Sequence, residues 1–517
     1  MRLLFNSSID DFKNKSLDDM VAVGLVQPHS VRLWLRSRQP GRIKVRWWRE
    51  GQEGFSGEMA TVIPVQNERD NTCSIRIPGA ASPPLRPLQR YRFRVFLLDD
   101  NRLIGEGRFE TAPENVATTP AKFSIALLSC HQPFDKHGKV RKEAEQMLQS
   151  SLRCLEEHDT KLVMLVGDQM YSDFPKPLSL FTSPYFGHIA PSGRKKVLDC
   201  SVSEIRQLYH RRYRHFWQLP AWRTLQSTYP CYPVIDDHDI VDNWGSDPAH
   251  QTSEWQTVGE GARGAYFDYQ GSRIESADDG IPKSFHYSFC YGHTSCFAMD
   301  IRSERNAGEG GRLYSDVQER ALKNFLEANS DQELIFIVLS VPVIHLPRFL
   351  ASTMARLPPA GEDFSDRWSS GGHLRDRDRF LKTIYAHQNR FPSQRLILLS
   401  GDIHIGCAHR IQWRSQGPVA YQLISSPITH HNGLFVQLGS KLLIRANRKI
   451  VTGDKSLRAA VRLLDGTGRQ TKNPYGGLNL GLVEICTPAP GARPKIRLSL
   501  FGHKGKKPIC IYRSSEI

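Results

Sequence analysis

Five short stretches of this chain set oxygen, sulfur and imidazole donors where a cation could gather them: SCH at 129–131, GDQMY at 167–171, DDHD at 236–239, DIR at 300–302 and GDIH at 401–404. Apolar runs precede most of them, over Ile125–Leu128, Leu162–Val166 and Leu396–Leu399. A buried strand that delivers a ligand residue at its C-terminal end is how open α/β sheets build sites. One such stretch is a weak signal, but five in one chain point to a metal-dependent hydrolase. Asp168 follows a glycine, which permits a tight turn, and its two oxygens could bridge two cations. Tyr171, three residues on, could offer a phenolate to a hard trivalent ion. Asp402 and His404 are two apart and would point the same way from an extended segment. Asp237 and His238 close a segment that enters through Pro230–Ile235, and a thiolate at Cys130 would demand a metal or a strong positive field. A set rich in oxygen, with one sulfur and one or two imidazoles, suits Fe(III), Mn or Ca better than a closed structural zinc site.

These residues need strands and helices to hold them. Residues 21–113 read as all-β, with alternating segments such as Val31–Arg36, Ile43–Trp47, Tyr91–Leu97 and Arg108–Thr111 separated by Pro, Gly and Ser. Some seven short strands in that span predict an antiparallel sandwich, and no chemistry is visible in it. Residues 112–121 are linker-like, dividing the chain into units 1–115 and 116–517. Beyond them strands alternate with helices: strands Phe123–Leu128 and Leu162–Val166 around an amphipathic helix over Val140–Glu157. Ser315 and Gln318 have capping-box spacing and open a helix to about Asn329. Leu334–Val341 is a buried strand, His373–Phe391 a helix and Arg395–Ser400 a strand; Leu480–Ile485, Lys495–Phe501 and Ile509–Tyr512 are terminal strands. The expected class is a layered α/β catalytic region. Asp173–Ser203 and Val436–Pro474 show no clear period and are expected as long loops or lids.

The 69 Lys and Arg against 53 Asp and Glu give a formal charge of +16, a field that draws anions. It fits phosphate-bearing substrates, and it also fits nucleic acid or an acidic membrane surface. The basic residues are scattered, as at Lys195–Lys196, Arg211–Arg212 and Lys504–Lys507, so no nucleic-acid motif is indicated. Ten cysteines without a CxxC pair read as reduced thiols and not as a disulfide scaffold. No apolar run reaches ~18 residues, so no transmembrane segment is expected. The run Met1–Phe5 is too short for a signal peptide and no twin-arginine stretch is seen, which predicts a cytoplasmic location, or an exported one if a leader was removed.

The stretches GDQMY, DDHD with Asn243 downstream, DIRSER at 300–305 and SGDIH at 400–404 resemble, in this order, the PhoD-like alkaline phosphatase/phosphodiesterase family. The β region ahead of them matches too, and Asp366-Arg367-Trp368 resembles the family's Asp–Trp segment. More broadly, GDxxY and the late Asp–His pair are similar to purple acid phosphatases among the metallophosphoesterases. The resemblance implies a four-layer α/β/β/α core behind a β-sandwich-like domain. It implies a binuclear or larger centre, with Cys130, Asp168, Tyr171 and His404 around an Fe(III)-like ion. Asp168 would bridge to a second site completed by Asp237 and Asp402, with Asn243, taken by Ca or another divalent ion such as Mn or Zn. His131 and Asp239 depart from the family pattern, Glu being common at the latter position, and the family's usual export signal is not seen.

On this reading a hydroxide held between cations about 3.5–4 Å apart would attack phosphorus in line. His238, not needed as a ligand, would donate to the leaving oxygen or stabilise equatorial charge. Arg302 and Arg305 would bind the substrate phosphate, Arg302 as a bidentate donor. Plainer roles stand beside these. Cys130 could be a core thiol, Asp173 a helix N-cap, and Arg302 and Arg305 structural partners of Asp300 or Glu304. Asp236 could pair with an arginine while Asp237 takes the metal, since neighbours on a strand point oppositely. His430 and His431 are candidates for an outer supporting role. The expected function is metal-dependent hydrolysis of phosphate mono- or diesters in a small molecule or a polymer. The competing readings are a nuclease or lipid-headgroup phosphodiesterase, and a non-catalytic binding protein with a relict metal site. The absence of apolar replacements at the ligand positions argues against the last.

Overall fold

The computed structural model describes residues 19–517 except 53, 64–68, 80–82, 276–279, 307–310, 346–365, 415–416, 432, 469–470 and 490–491. The N-terminal reading of Met1–Phe5 therefore lies outside the described residues. Seven strands come first: β1 (Met20–Val26), β2 (Val31–Arg36), β3 (Gly41–Arg49), β4 (Gly57–Ile63), β5 (Thr72–Ile77), β6 (Arg90–Leu97) and β7 (Arg102–Glu110). They form a three-stranded sheet β1-β2-β5 and a four-stranded sheet β4-β3-β6-β7, antiparallel throughout. β6 shows why: Tyr91, Phe93, Val95 and Leu97 are buried while Arg90, Arg92 and Arg94 are exposed, the period-2 alternation of a half-buried strand.

The next sheet has six strands in the order β10-β9-β8-β19-β20-β21. These are β8 (Lys122–Leu128), β9 (Thr160–Val166), β10 (Cys231–Val234), β19 (Leu480–Cys486), β20 (Lys495–Lys504) and β21 (Lys507–Arg513). The last sheet has eight, in the order β11-β12-β13-β14-β16-β15-β18-β17. Its members are β11 (Tyr287–Tyr291), β12 (Thr294–Ala298), β13 (Leu334–Val338), β14 (Arg395–Ser400), β15 (Cys407–Trp413), β16 (Val419–Ile424), β17 (Lys449–Val451) and β18 (Arg458–Leu463). β8, β9 and β10 run parallel, as do β12, β13, β14 and β16, so their C-terminal ends emerge on common edges.

Among the described residues there are eight α-helices: α1 (Lys142–Glu157), α2 (Ser183–Ile189), α3 (Val202–Phe216), α4 (Pro220–Thr228), α5 (Ser253–Tyr269), α6 (Asp316–Ala328), α7 (Leu374–Arg390) and α8 (Leu434–Ala446). None is long and apolar enough to cross a membrane. Ile125, Leu127, Met164 and Val166 share one apolar cluster with Phe336, Val338, Ile397 and Leu399 of the eight-stranded sheet. The alternate residues Ala126, Leu128, Val163 and Leu165 pack instead with Met147 and Leu148 of α1 and Leu208 of α3. Ile335, Ile337, Leu396 and Leu398 pack with Leu322 of α6 and Phe380 of α7. Strands buried on both faces are continuous apolar runs, which is how these segments read.

The two stretches expected as loops are partly built. The first holds α2 between single 3₁₀ turns at Lys176–Leu178 and Val197–Asp199. The second holds α8, β17 and β18. Their periods were masked for a physical reason: in α8 Leu438 and Leu442 are exposed while Ile444 is buried, so apolar character does not mark the packed face. In β18 alanines occupy both phases of the alternation. None of the ten cysteines is bonded to another.

The early strands are tied to the helices through Asp70. Its carboxylate accepts from Arg36 Nε at 2.8 Å, from Arg214 Nη1 at 2.5 Å and from the Tyr269 hydroxyl. Burial alone would raise its carboxyl, but the charges of Arg214 and Arg36 hold it well below the usual range. A depressed carboxyl stabilises the fold above its unfolded value of about 3.9, and that contribution is lost as pH falls through the folded value. Asp70→Asn should therefore lower unfolding free energy by about 3 kcal/mol at neutral pH, the cost of breaking a buried ion pair. Denaturation at a series of pH values should show the gap from wild type closing in acid; a gap independent of pH would refute the assignment.

Candidate metal centre

The expected donors sit on turns just past the strand ends. Cys130 follows β8, Asp168 follows β9, Asp237 follows β10 and Asp402 follows β14. Cys130, Asp168, Asp402, His404 and Asn243 all have positive φ, between 54° and 62°. Left-handed backbone at a residue other than glycine costs about 1–2 kcal/mol, and clustered outliers mark functional sites. Asp402 and His404 are thus on a tight turn, not the extended segment expected, with the His404 amide donating to the Asp402 carbonyl at 2.7 Å. Two glycines let the turns close. A Cβ on Gly167, where φ is +91°, would stand 2.6 Å from Asp236 Cβ, and one on Gly401 would stand 2.4 Å from Ser129 Cβ. The segment after β16 closes the site across both sheets. Ser129 Oγ donates to the Ser425 carbonyl at 2.9 Å and the His430 amide to the Cys130 carbonyl at 3.2 Å.

Asp168, Asp236, Asp237 and Asp402 each bring a carboxylate oxygen within 4.8 Å of the others, and His238 comes equally close to Asp168 and Asp237. All four carboxylates are buried. Burial and the Asp236 charge push the Asp168 carboxyl well above the ordinary range. Burial raises Asp236 to about 6 despite the Arg302 charge beside it. Burial opposes charge on Asp237 as well, but Arg302 and His238 hold it below its ordinary value. Asp168 Oδ1, Asp236 Oδ2, Asp237 Oδ1 and His404 Nδ1 are buried without a hydrogen-bond partner. Orphaned acceptors in a crowded acidic site are what a cation would satisfy, and the donor set fits one.

Cys130 and Tyr171 meet this cluster at Asp168: the thiol lies 3.4 Å from Asp168 Oδ2 and the phenol donates to the same oxygen at 3.2 Å. Ser426 Oγ donates to the Cys130 sulfur at 3.1 Å. Burial and the Asp168 charge raise both acids well above their ordinary values. His404 is not among the groups gathered within 4.8 Å; its ring stacks on His430 with centroids 4.1 Å apart. Burial lowers His404 to about 3 and His430 well below its usual value. Asn243 contributes through its backbone, its amide donating to Asp237 Oδ2 at 2.7 Å.

His238 is held by a residue the sequence reading had as a helix cap. Asp173 accepts from His238 Nδ1, with its oxygens at 2.8 and 3.0 Å, and from the Asp242 amide at 2.7 Å. Burial disfavours a charged ring, yet Asp173, Asp237 and Asp168 raise it well above 6.5.

Arg302 is not placed to grip a phosphate. Its side chain is 0% exposed. Nε donates to Asp236 Oδ1 at 2.5 Å, and Nη1 and Nη2 donate to the two oxygens of Asp366 at 2.6 and 2.8 Å. It pairs with these two and, at 3.6 Å, with Asp237, and not with Asp300 or Glu304. Asp300 shapes the turn instead, accepting from the Arg302 and Ser303 amides at 2.9 Å each. Ser315 caps α6 as its spacing predicts, but the Gln318 side chain goes elsewhere, exchanging hydrogen bonds of 2.7 and 2.8 Å with the Asp300 backbone. Arg305 is equally buried, with Nη2 3.1 Å from Asp366 Oδ1 and 2.8 Å from His373 Nε2. The guanidinium that touches the carboxylate cluster while partly exposed is that of Arg367, which donates to Asp402 Oδ2. Asp173, Arg367 and the stacked His430 could not be ranked from the sequence, since only folding sets them beside the cluster.

Two sheets with parallel cores share one apolar cluster and carry buried carboxylates past their strand ends. Residues 126–459 match the family described as PhoD-like phosphatase, and the chain belongs to that family. It is similar to the solved "Structure of PhoD", with a TM-score of 0.64 and 15% identity over 96% of this chain and 92% of that one, a likeness of fold. It is also 22% identical over 316 residues to the uncharacterized protein YGR266W of Saccharomyces cerevisiae, covering 48% of this chain and 44% of that protein. The chain thus spans less than half the length of this relative.

Asp168→Asn keeps the shape of the residue while removing a charge from the cluster. The variant should lose bound metal while its far-UV circular dichroism is unchanged, and metal-free it should be no less stable than metal-free wild type. Metal content equal to wild type by elemental analysis would sink the bridging role.

Proposed function

We propose that this protein is a metal-dependent phosphoester hydrolase acting on phosphate mono- or diesters. The observation that carries the reading is the cluster Asp168, Asp236, Asp237 and Asp402, buried and with orphaned oxygens, in a chain of the PhoD-like phosphatase family. Cys130, Asp168, Tyr171 and His404 would hold a hard trivalent ion such as Fe(III), and Asp168, Asp237, Asp402 and Asn243 would hold Ca or another divalent ion. Cations bound there would supply Lewis-acid activation of a water and neutralise charge on the phosphoryl oxygens. The shared apolar face of the two larger sheets supports a four-layer α/β/β/α core over residues 116–517, and the seven early strands a separate β-sandwich-like unit ahead of it.

His238 is oriented through Nδ1 by Asp173 and carries a proton that Nε2 would give to the leaving oxygen. Arg302 acts at one remove, holding Asp236 and Asp366 so that Asp237 and Arg367 stand at the cluster. Arg367 takes the phosphate-binding role first expected of Arg302, because its guanidinium reaches the cluster while partly exposed and could donate to a non-bridging oxygen.

The test is hydrolysis of a chromogenic phosphomonoester and the matching diester, with Fe, Ca, Mn and Zn supplied in turn. Turnover should need metal and vanish in Asp168→Asn. Arg367→Ala should cut kcat/KM about 10²-fold with an unchanged melting temperature. Arg302→Ala should instead destabilise the fold by about 3–5 kcal/mol, as removal of a buried partner does. A wild-type protein inert with every metal and both esters would overturn the reading.

A further inference from the structure

The β15–β18–β17 edge of the eight-stranded sheet carries a second concave surface, a groove of about 1050 Å³ that shares no residue with the metal centre. β15 runs away from the site end of the sheet and β18 pairs with it antiparallel, setting Arg410 directly opposite Arg462. Like charges directly opposite destabilise a strand pair, so this placement has a cost unless something anionic offsets it. Arg458 shares a face with Arg462, four residues apart on β18, and Lys449 is opposite Ala460, which lies between them. The ends of the groove add Arg414, Arg448 and Lys455.

No carboxylate lines the groove, and among the described residues none of these seven cations forms an ion pair. Their side-chain contacts are modest: Arg410 Nη2 donates to Gln412 Oε1 at 2.6 Å, and the Arg414 guanidinium lies 5.5 Å from the Tyr385 ring centroid. The nearby Asp454 is bonded to Lys382, and Asp378 accepts from the Gly453 amide. The four-stranded sheet treats its surface arginines differently. On the four-stranded sheet Arg46, Arg90, Arg92 and Arg94 each face a glutamate within 3.1 Å.

Five of the seven cations are arginines, whose planar forks suit phosphate oxygens. Residues four apart on a strand stand about 13 Å from each other, and Lys449 opposite Ala460 fills the interval between Arg458 and Arg462, so the cations form a series that anionic groups in a chain could follow. The groove is otherwise lined by small and aliphatic residues such as Ala459, Ala460 and Val451, with no aromatic ring on which a base would stack. We propose that it is a binding site for a flexible linear polyanion carrying phosphates in series, held by its backbone charge and not by bases.

Inorganic polyphosphate is the probe, with the full chain and its metals, titrated at low and raised salt. Wild type should bind it with a steep salt dependence. A Lys449→Gln, Arg458→Gln, Arg462→Gln variant should bind about tenfold more weakly or worse, with a shallower salt slope. Its melting temperature and its hydrolysis of the chromogenic ester should be unchanged. A control variant with Lys504, Lys506 and Lys507 changed to glutamine removes the same charge elsewhere and should bind like wild type. Equal weakening in both variants would assign the binding to net charge and overturn the proposal. So would a single-stranded oligonucleotide of matched charge that binds as tightly and is lost equally in the groove variant, since that outcome makes the groove a nucleic-acid surface. Binding is read directly, so the result stands whichever way the hydrolysis test falls.

Discussion

One buried guanidinium makes the centre of this protein tenable. Four carboxylates with oxygens inside 4.8 Å cannot all be charged in a dry interior without a compensating cation. Arg302 provides one fixed positive charge, 2.5 Å from Asp236 and 3.6 Å from Asp237, and is itself neutralised on its far side by Asp366. From that arrangement much of the site geometry follows. Pinning Asp236 sets the 3₁₀ turn on which Asp237 and His238 stand. Pinning Asp366 places its neighbour Arg367 against Asp402. The Arg302 backbone is in turn held by Asp300, and Asp300 by Gln318 of α6, so a capping-box residue ends up supporting the acidic cluster.

Electrostatic crowding and backbone strain coincide here. Cys130, Asp168, Asp402, His404 and Asn243 adopt left-handed backbone, a conformation disfavoured for all of them. The strands that deliver them are buried on both faces and leave no freedom to relax. Strain and unsatisfied oxygens in one small volume are the signature of a site organised for something that arrives after folding. A cation held there would neutralise the carboxylates and fill the orphaned lone pairs together.

The formal charge of +16 is unevenly spent across the surface. On the four-stranded sheet arginines and glutamates alternate across strands and cancel, while at the β15–β18–β17 edge the cations stand without acidic partners. Net charge therefore understates how strongly one face attracts anions, and composition could not locate that face. The cationic edge and the acidic cluster coexist because the edge is exposed to solvent and the cluster is buried.

What the sequence by itself determined is local. Apolar runs bounded by Gly-Asp or Asp-Asp announce strands that end in acidic turns, because burial on both faces forces continuous hydrophobicity and a turn needs glycine. β8, β9 and β14, the α6 start at Ser315 and the positions of Asp168, Asp237 and Asp402 past strand ends were legible for that reason. Helix α8 was not, because its apolar residues do not track the buried face, and β18 was not, because alanines occupy both phases of its alternation. Only tertiary structure decided which partner each charge takes. Arg302 finds Asp366 sixty-four residues away and not Asp300 two residues away, since Asp300 is already occupied by backbone amides. His238 finds Asp173, sixty-five residues earlier in the chain. Pairing of buried charges is settled by desolvation and geometry across separate strands, and no local spacing encodes it.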